Sequence, residues 1–154
     1  MSETTIVLGA AIVRDFRLFV ARRSQPPSMA GFWELPGDEL AGDEIGTLQD
    51  LFTQEFGVAV SPADRILSDR PLLSWRDPES NTIDAALRIW RCQFPAEVYF
   101  ADGEPRPNMT RYDDIAWIPI DELDTVGPWR DEARIAASEV ADWFNGDVVW
   151  QRAD

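Results

Sequence analysis

The sequence contains no histidine and no lysine, and it has a single cysteine, Cys92. The lack of histidine excludes histidine-based acid–base catalysis and histidine metal ligands. The lack of lysine excludes Schiff-base chemistry and the lysine of a phosphate-binding loop. A lone cysteine forms neither an internal disulfide nor a metal site built from several cysteines. These absences remove several common kinds of catalytic and metal-binding site.

Long apolar segments are absent as well. The longest uncharged apolar run, residues 4–13, is too short to cross a bilayer. Residues 1–3 have no basic region of the kind that begins a secretory signal. We therefore expect a cytoplasmic protein with no membrane partner. Its 154 residues fit a single domain, residues 1–154, and the 45% of hydrophobic residues suffice for a packed core.

The charge of the chain is strongly negative. Asp and Glu number 28 against 14 basic residues, all of them arginine, and the net charge is −14. Such an acidic surface repels DNA and anionic membranes at long range, so we expect no nucleic-acid partner. A small anionic ligand would need local arginines or a bound divalent cation.

Apolar, β-branched segments predict several strands. Residues 4–14 and 17–22 are predicted to form a hairpin around a short turn at Asp15 and Phe16. Later strands are predicted at 66–76, 83–94 and 115–118.

Two segments have the periodicity of helices. Residues 47–56 carry apolar side chains on one face of a 3.6-residue repeat, with Thr47 as a predicted N-cap and Gly57 as a predicted stop. A second helix is predicted at residues 131–144. Strands before, between and after two helices indicate an α/β or α+β fold, including a three-layer sandwich with mixed strands.

The segment from Gly31 to Gly37, GFWELPG, precedes an acidic loop, a short helix and the sequence Glu55-Phe56-Gly57-Val58. This pattern resembles the Nudix superfamily, and most of all its MutT-type nucleotide pyrophosphohydrolases. The similarity runs from residue 4 to about residue 144 and includes the late sequence WIPIDEL at 117–123. The resemblance implies a Nudix-type α/β/α sandwich with a mixed central sheet.

The signature box of that family reads G, five residues, E, seven residues, then R-E-U-x-E-E-x-G-U, where U is aliphatic. Aligned from its start, the box places Glu44 at its first glutamate. Aligned from Gly57 near its end, it keeps Glu55 as the last glutamate. The other two helix glutamates become Leu51 and Gln54, and the two alignments disagree by two residues. The box is therefore degenerate by this comparison.

The family reaction is attack of water on a phosphorus atom of a nucleoside diphosphate derivative, with divalent ions holding the diphosphate. An active enzyme would use Mg²⁺ or Mn²⁺, and an inactive one would need no cofactor. The resemblance implies metal ligands at the carbonyl of Gly37 and at Glu44 and Glu55, with Glu55 as the catalytic residue. Restoring glutamates at positions 51 and 54 would place three carboxylates on one helical face.

The resemblance also implies where a nucleotide-like ligand would bind. Arg22 and Arg23 would line the phosphate end, and Glu34 would be either a buried orienting residue or a surface residue. Where the family often has a glutamate before its last strand, this chain has Arg111, which would repel a metal ion. Arg111 is therefore a candidate contact for a ligand phosphate.

Three functions remain open at this point. The first is an active, Mg²⁺-dependent pyrophosphohydrolase of nucleoside triphosphates, including oxidised ones, with a metal site rebuilt from acids such as Asp38, Glu39 and Asp43. The second, which the lost carboxylates favour, is a weakened or inactive Nudix protein that binds a nucleotide-like ligand or a protein partner. The third is a structural domain without a ligand.

Overall fold

The computed structural model describes residues 5–66, 73–76, 84–95 and 105–146. In chain order, its elements are β1 (Thr5–Ala11), β2 (Val13–Arg14), β3 (Arg17–Arg23), β4 (Trp33–Glu34), β5 (Gly37–Glu39), α1 (Glu44–Phe56), β6 (Ser61–Arg65), β7 (Leu73–Arg76), β8 (Asp84–Gln93), β9 (Tyr112–Pro119), a short 3-10 helix (Leu123–Thr125) and α2 (Asp131–Gly146).

The strands form two sheets. One has the order β5-β1-β8-β6, with β7 also paired to β8, and the other has the order β2-β3-β4, with β9 paired to β3. The first sheet is mixed, because β1 runs parallel to β8 whereas β1 and β5 are antiparallel. The predicted mixed sheet is therefore confirmed.

The two helices cover opposite faces of the strands. Successive strand residues point to opposite faces, and β3 follows this rule. Leu18 and Val20 pack in a core cluster with the buried side chains of α2, whereas Phe19 and Ala21 pack in a second cluster with those of α1. The predicted three-layer α/β/α sandwich is confirmed, with one apolar core on each side of the strands.

The first predicted strand is divided between the two sheets. β1 belongs to one sheet and β2 to the other, and Ile12 separates them. β2 and β3 form the predicted hairpin, in which Arg14 pairs with Arg17. The turn residues Asp15 and Phe16 have φ angles of 52° and 61°, as a two-residue hairpin turn of the right twist requires.

The first helix begins earlier than predicted. Its N-cap is Asp43, whose carboxylate accepts a hydrogen bond from the Gly46 N–H, so the prediction of Thr47 was wrong. Thr47 lies one turn inside the helix, and its hydroxyl donates to the Asp43 carbonyl at 2.7 Å. Gly57, with φ of 70°, ends the helix as predicted. Within the described residues, no helix is long and apolar enough to cross a membrane.

Candidate functional site

A cleft of about 810 Å³ opens beside β1 and β5 and extends to the start of α2. Its apolar wall is formed by Val7, Leu8, Leu35, Leu87 and Ile89. Its charged lining consists of Arg23, Arg111, Arg130, Glu34, Asp38, Glu39 and Glu132. An apolar wall with a few convergent polar groups is typical of a small-molecule site.

One wall of the cleft is held by a buried tyrosine that the sequence did not single out. The Tyr112 hydroxyl donates to Glu34 Oε2 at 2.7 Å, and the Gly37 N–H donates to the same hydroxyl oxygen at 3.1 Å. The Arg23 guanidinium lies 5.6 Å from the centre of the Tyr112 ring. Tyr112 is fully buried at the first position of β9. A buried hydroxyl needs a partner, and here it joins the β4–β5 segment to β9.

Burial raises the pKa values of both Glu34 and Tyr112. The pKa of Glu34 is raised above its ordinary value, because desolvation outweighs the opposing effects of Arg23 and the Tyr112 hydroxyl. Burial and the neighbouring Glu34 charge also raise the pKa of Tyr112, which keeps the phenol protonated and able to donate. Glu34 thus contacts Tyr112 and Arg23, and its orienting role toward a ligand stays a prediction.

A pH dependence of stability follows from the raised pKa of Glu34. The native state binds this proton more tightly than the unfolded chain does, so the stabilisation is complete below the ordinary pKa of 4.5 and is lost as pH rises through the folded pKa. Glu34→Gln keeps an acceptor for Tyr112 and removes the titration. Urea unfolding should show the stability of the wild type relative to this variant falling as pH rises above 4.5. A flat difference would contradict the raised pKa.

Arg111 lies at the centre of the second polar group. Its Nη1 donates to the Gly37 carbonyl at 3.3 Å and lies 3.1 Å from Asp38 Oδ2. Its backbone N–H donates to Glu55 Oε1 at 3.3 Å. Burial alone would lower the pKa of Arg111, but the Asp38 carboxylate outweighs this, with a further contribution from Glu55, and raises it. The guanidinium is therefore a permanent cation against these oxygens.

The loop that carries Arg111 also covers the end of α1. The Asn108 N–H donates to the Glu55 carbonyl at 2.9 Å, and Asn108 Nδ2 donates to the Gln54 carbonyl at 2.7 Å. The Arg106 N–H reaches the Phe56 carbonyl at 3.3 Å. The last carbonyls of a helix have no partner within it, so these bonds fix the loop to the helix end and hold Glu55 beside Arg111.

The three box positions of α1 do not share one environment. Leu51 is 3% exposed and packs in the α1 core cluster, and Glu55 is 8% exposed, whereas Gln54 is exposed. A carboxylate restored at position 51 would enter the apolar core. A metal-binding face made of carboxylates at all three positions therefore stays a prediction, which requires a carboxylate at the buried position 51.

Glu44 is separated from the other predicted metal ligands. It begins α1 and Glu55 lies eleven residues further on, a distance of roughly 16 Å along a helix axis. Glu44 Oε2 instead accepts from Arg88 Nη1 at 2.6 Å, and Oε1 accepts from Trp90 Nε1 at 2.9 Å. Two carboxylates this far apart do not bind one ion together, so the role of Glu44 as a ligand of a separate ion stays a prediction.

The two neighbouring arginines at the end of β3 face different surroundings. Arg23 lines the cleft. Arg22 does not belong to the described residues that line it. Arg22 Nε instead donates to Asp113 Oδ1 at 2.7 Å. Because adjacent strand residues point to opposite faces, only one of the pair can reach the cleft. Binding of a ligand phosphate by Arg22 stays a prediction, and in this structure the side chain is paired with Asp113.

The oxygens nearest to a possible divalent-ion site contact Arg111 instead. In proteins Mg²⁺ usually keeps several waters and is held by one or two carboxylates together with substrate phosphates. Over residues 5–66, 73–76, 84–95 and 105–146, no three Asp, Glu, Cys or His side chains are grouped so as to hold a metal ion. Asp38 and Glu55 both contact Arg111. The donor set that the resemblance implies for Mg²⁺ or Mn²⁺ is thus not assembled here.

A known protein matches this sequence over nearly its whole length. A Mycobacterium tuberculosis (strain CDC 1551 / Oshkosh) protein named "Putative 8-oxo-dGTP diphosphatase 2" is 33% identical over 146 residues, which is 94% of this chain and 93% of that protein. No protein-family model matches the sequence.

Solved structures share the fold. A MutT NUDIX hydrolase from Burkholderia pseudomallei superposes with a TM-score of 0.69 at 25% identity, over 90% of this chain and 99% of that one. A MutT protein from Methanosarcina mazei Go1 superposes with a TM-score of 0.68 at 14% identity, over 95% and 98% of the two chains. Three observations support the same family assignment: the extent of the sequence match, the common fold and the GFWELPG segment. The chain belongs to the Nudix superfamily, as a MutT-like member.

Proposed function

We propose that this protein binds a nucleotide through its phosphate groups in the cleft, and that its pyrophosphohydrolase activity is weakened or absent. The nucleotide class is carried over from the mycobacterial relative, whose name is that of an 8-oxo-dGTP diphosphatase. The loss of activity is supported by one observation above all. The Arg111 guanidinium occupies the Gly37 carbonyl and the Asp38 carboxylate, which are the kind of oxygens that a divalent ion would need.

Phosphate binding is supported by the cations of the cleft. The whole protein carries a net charge of −14, so an anion needs local cations. Three arginines, Arg23, Arg111 and Arg130, line the cleft, together with the four carboxylates Glu34, Asp38, Glu39 and Glu132. The Arg23 Nε–H is buried without a hydrogen-bond partner among the described residues, 3.7 Å from Glu34 Oε1. A buried donor left unpaired costs roughly 1–3 kcal/mol. A phosphate oxygen would remove this cost.

The apolar wall supports a base or sugar beside those phosphates. Aliphatic side chains of β1 and β8 form it, and no tryptophan of the described residues lines the cleft. A nucleobase would therefore pack on aliphatic groups rather than stack on an indole ring.

Such a site can bind a nucleotide without hydrolysing it. An arginine pairs with phosphate oxygens through its planar fork of N–H groups. A divalent ion does this and also lowers the pKa of a coordinated water, which a guanidinium cannot do. Replacement of the ion by Arg111 would therefore preserve ligand binding and remove most of the activation of the attacking water.

The second candidate is an active pyrophosphohydrolase that acts on 8-oxo-dGTP. The match to the mycobacterial relative over 93% of that protein's length favours it. This function would require Arg111 to leave Gly37 and Asp38 when substrate and metal bind.

Pyrophosphate release from a nucleotide panel that includes dGTP and 8-oxo-dGTP, with Mg²⁺ or Mn²⁺, tests the proposal. Loss of preorganised electrostatic stabilisation costs about 100- to 1,000-fold, so we expect turnover of about 0.1 per second or slower against a typical value near 10 per second. Calorimetry on the same nucleotides should detect binding. Glu55→Gln is the control, because any residual turnover that belongs to this site should disappear.

Turnover in the ordinary enzyme range would replace the proposal with the active pyrophosphohydrolase. Neither binding nor turnover for any nucleotide of the panel would leave the structural domain as the remaining function.

A further inference from the structure

The Arg111 guanidinium contacts a backbone carbonyl and a carboxylate, and the Arg111 backbone N–H contacts a second carboxylate. A backbone carbonyl and a carboxylate from β5, at Gly37 and Asp38, lie 3.3 Å and 3.1 Å from its Nη1. The Glu55 carboxylate at the end of α1 lies 3.3 Å from the backbone nitrogen of the same residue. The guanidinium thus contacts two oxygens of β5, whereas Glu55 of the following helix α1 binds the backbone of the same residue.

We infer that the Arg111 guanidinium is a fixed internal cation that takes the place of a divalent ion, so that the cleft binds nucleotide phosphates without metal. This inference rests on the proposed function and concerns how the same site holds its ligand. It follows from the mismatch between the donor set and a metal ion.

The backbone of Arg111 is anchored on both sides, which keeps this cation in place. Its N–H is bound to Glu55, and its carbonyl accepts a hydrogen bond from the Ser24 N–H at 2.7 Å. The side chain is 28% exposed, so solvent weakens its ion pair with Asp38 only in part. A divalent ion at the same oxygens would meet this positive charge at close range and would be repelled.

Arg111 also retains donors for a ligand. A guanidinium has five N–H groups, and the contacts that Arg111 makes with Gly37 and Asp38 both use Nη1. Its remaining N–H groups suit a phosphate oxygen pair. Arg23 lines the same cleft, and its buried Nε–H has no hydrogen-bond partner among the described residues.

Calorimetric titration with dGTP tests the inference in EDTA and in millimolar Mg²⁺. The wild-type Kd in EDTA should lie within about threefold of the Kd in Mg²⁺. Arg111→Gln should weaken binding in EDTA by roughly ten- to a hundredfold, the scale of a lost charge-assisted hydrogen bond. Arg17→Gln is the matched control, because it removes the same charge from an exposed side chain at the start of β3, roughly 20 Å along the strand from Arg23. It should change the Kd less than twofold.

The outcomes separate the inference from the proposed function. Binding of dGTP only with Mg²⁺ would overturn the metal-free cation and leave nucleotide binding intact. No binding under either condition would overturn both. An unchanged Kd for Arg111→Gln, or equal losses for the two arginine variants, would show that Arg111 is not the cation that holds the phosphates.

Arg111→Glu gives a second measurement that does not depend on nucleotide. It would replace the cation with a carboxylate among the oxygens of Gly37, Asp38 and Glu55, and these are suitable ligands for Mn²⁺. Electron paramagnetic resonance should show at least tenfold tighter Mn²⁺ binding by this variant than by the wild type. Equal Mn²⁺ binding by both proteins would contradict the inference. If thermal melts show that the variant does not fold, the same comparison is made with Arg111→Gln, which should still gain affinity for Mn²⁺.

Discussion

Leu51→Glu is expected to lower the free energy of unfolding by roughly 3–5 kcal/mol, the usual effect of an uncompensated buried charge. Leu51 is 3% exposed and packs in the core cluster that contains Phe52 and Phe56. The substitution removes apolar contacts and forces a carboxylate into the core, where it is either charged and unpaired or protonated at a cost. Urea unfolding followed by tryptophan fluorescence measures the loss.

Gln54→Glu is the matched control for that substitution. It introduces the same carboxylate three residues further along α1, at an exposed position, and should change stability by no more than about 0.5 kcal/mol. A loss below about 1 kcal/mol for Leu51→Glu would mean that position 51 accommodates a carboxylate, for example by pairing with Arg111. If the double variant Leu51→Glu/Gln54→Glu then showed a Mg²⁺-dependent rise in Tm, this would indicate the metal-binding face that the family alignment implies.

Gly37→Ala is expected to destabilise the protein by about 3 kcal/mol or more, because overpacking here meets backbone rather than a movable side chain. A Cβ at position 37 would lie 2.1 Å from the Leu8 carbonyl oxygen and 3.2 Å from the Gly9 Cα. Gly37 pairs with Gly9 across β1 and β5, so the clash would separate the two strands. The carbonyl that accepts from Arg111 would move with them, and dGTP binding should weaken as well.

Glu39→Ala provides the comparison for Gly37→Ala on the same strand. Glu39 is exposed, and its replacement should alter the free energy of unfolding by less than about 0.5 kcal/mol. Equal stability of the two alanine variants in urea unfolding would show that β5 can move away from β1 without cost. The close approach at Gly37 would then not be a requirement of the fold.

Several parts of the fold depended only on local sequence. The hairpin turn at Asp15 and Phe16 and the helix stop at Gly57 were predicted at the residues where they occur, because turn and cap geometry involves only neighbouring residues.

β6 was not predicted, since Ser61–Arg65 lacks the β-branched and aromatic residues typical of strands. It exists because it pairs with β8. Within the predicted strand 66–76, only Leu73–Arg76 is a described strand, and residues 67–72 lie outside the described residues.

The candidate site was predicted in part. Arg23, Glu34, Gly37 and Arg111 line one cleft, and the ligand- or metal-binding role of each stays a prediction. The catalytic role of Glu55 stays a prediction. Tyr112 was missed because nothing in the sequence distinguishes a tyrosine that packs as an ordinary core residue from one whose hydroxyl joins Glu34 to Gly37.

By itself, the sequence determined the family, the layered α/β/α arrangement and the residue types available for chemistry: carboxylates and arginines, without histidine or lysine. These follow from composition, periodicity and a motif, all of which are local along the chain. Only the tertiary structure decided which charges meet. Glu44 pairs with Arg88, and Arg111 lies against Gly37, Asp38 and the end of α1. Such contacts join residues up to 74 positions apart, and their strength depends on distance and burial, which are properties of the folded chain and not of its sequence spacing.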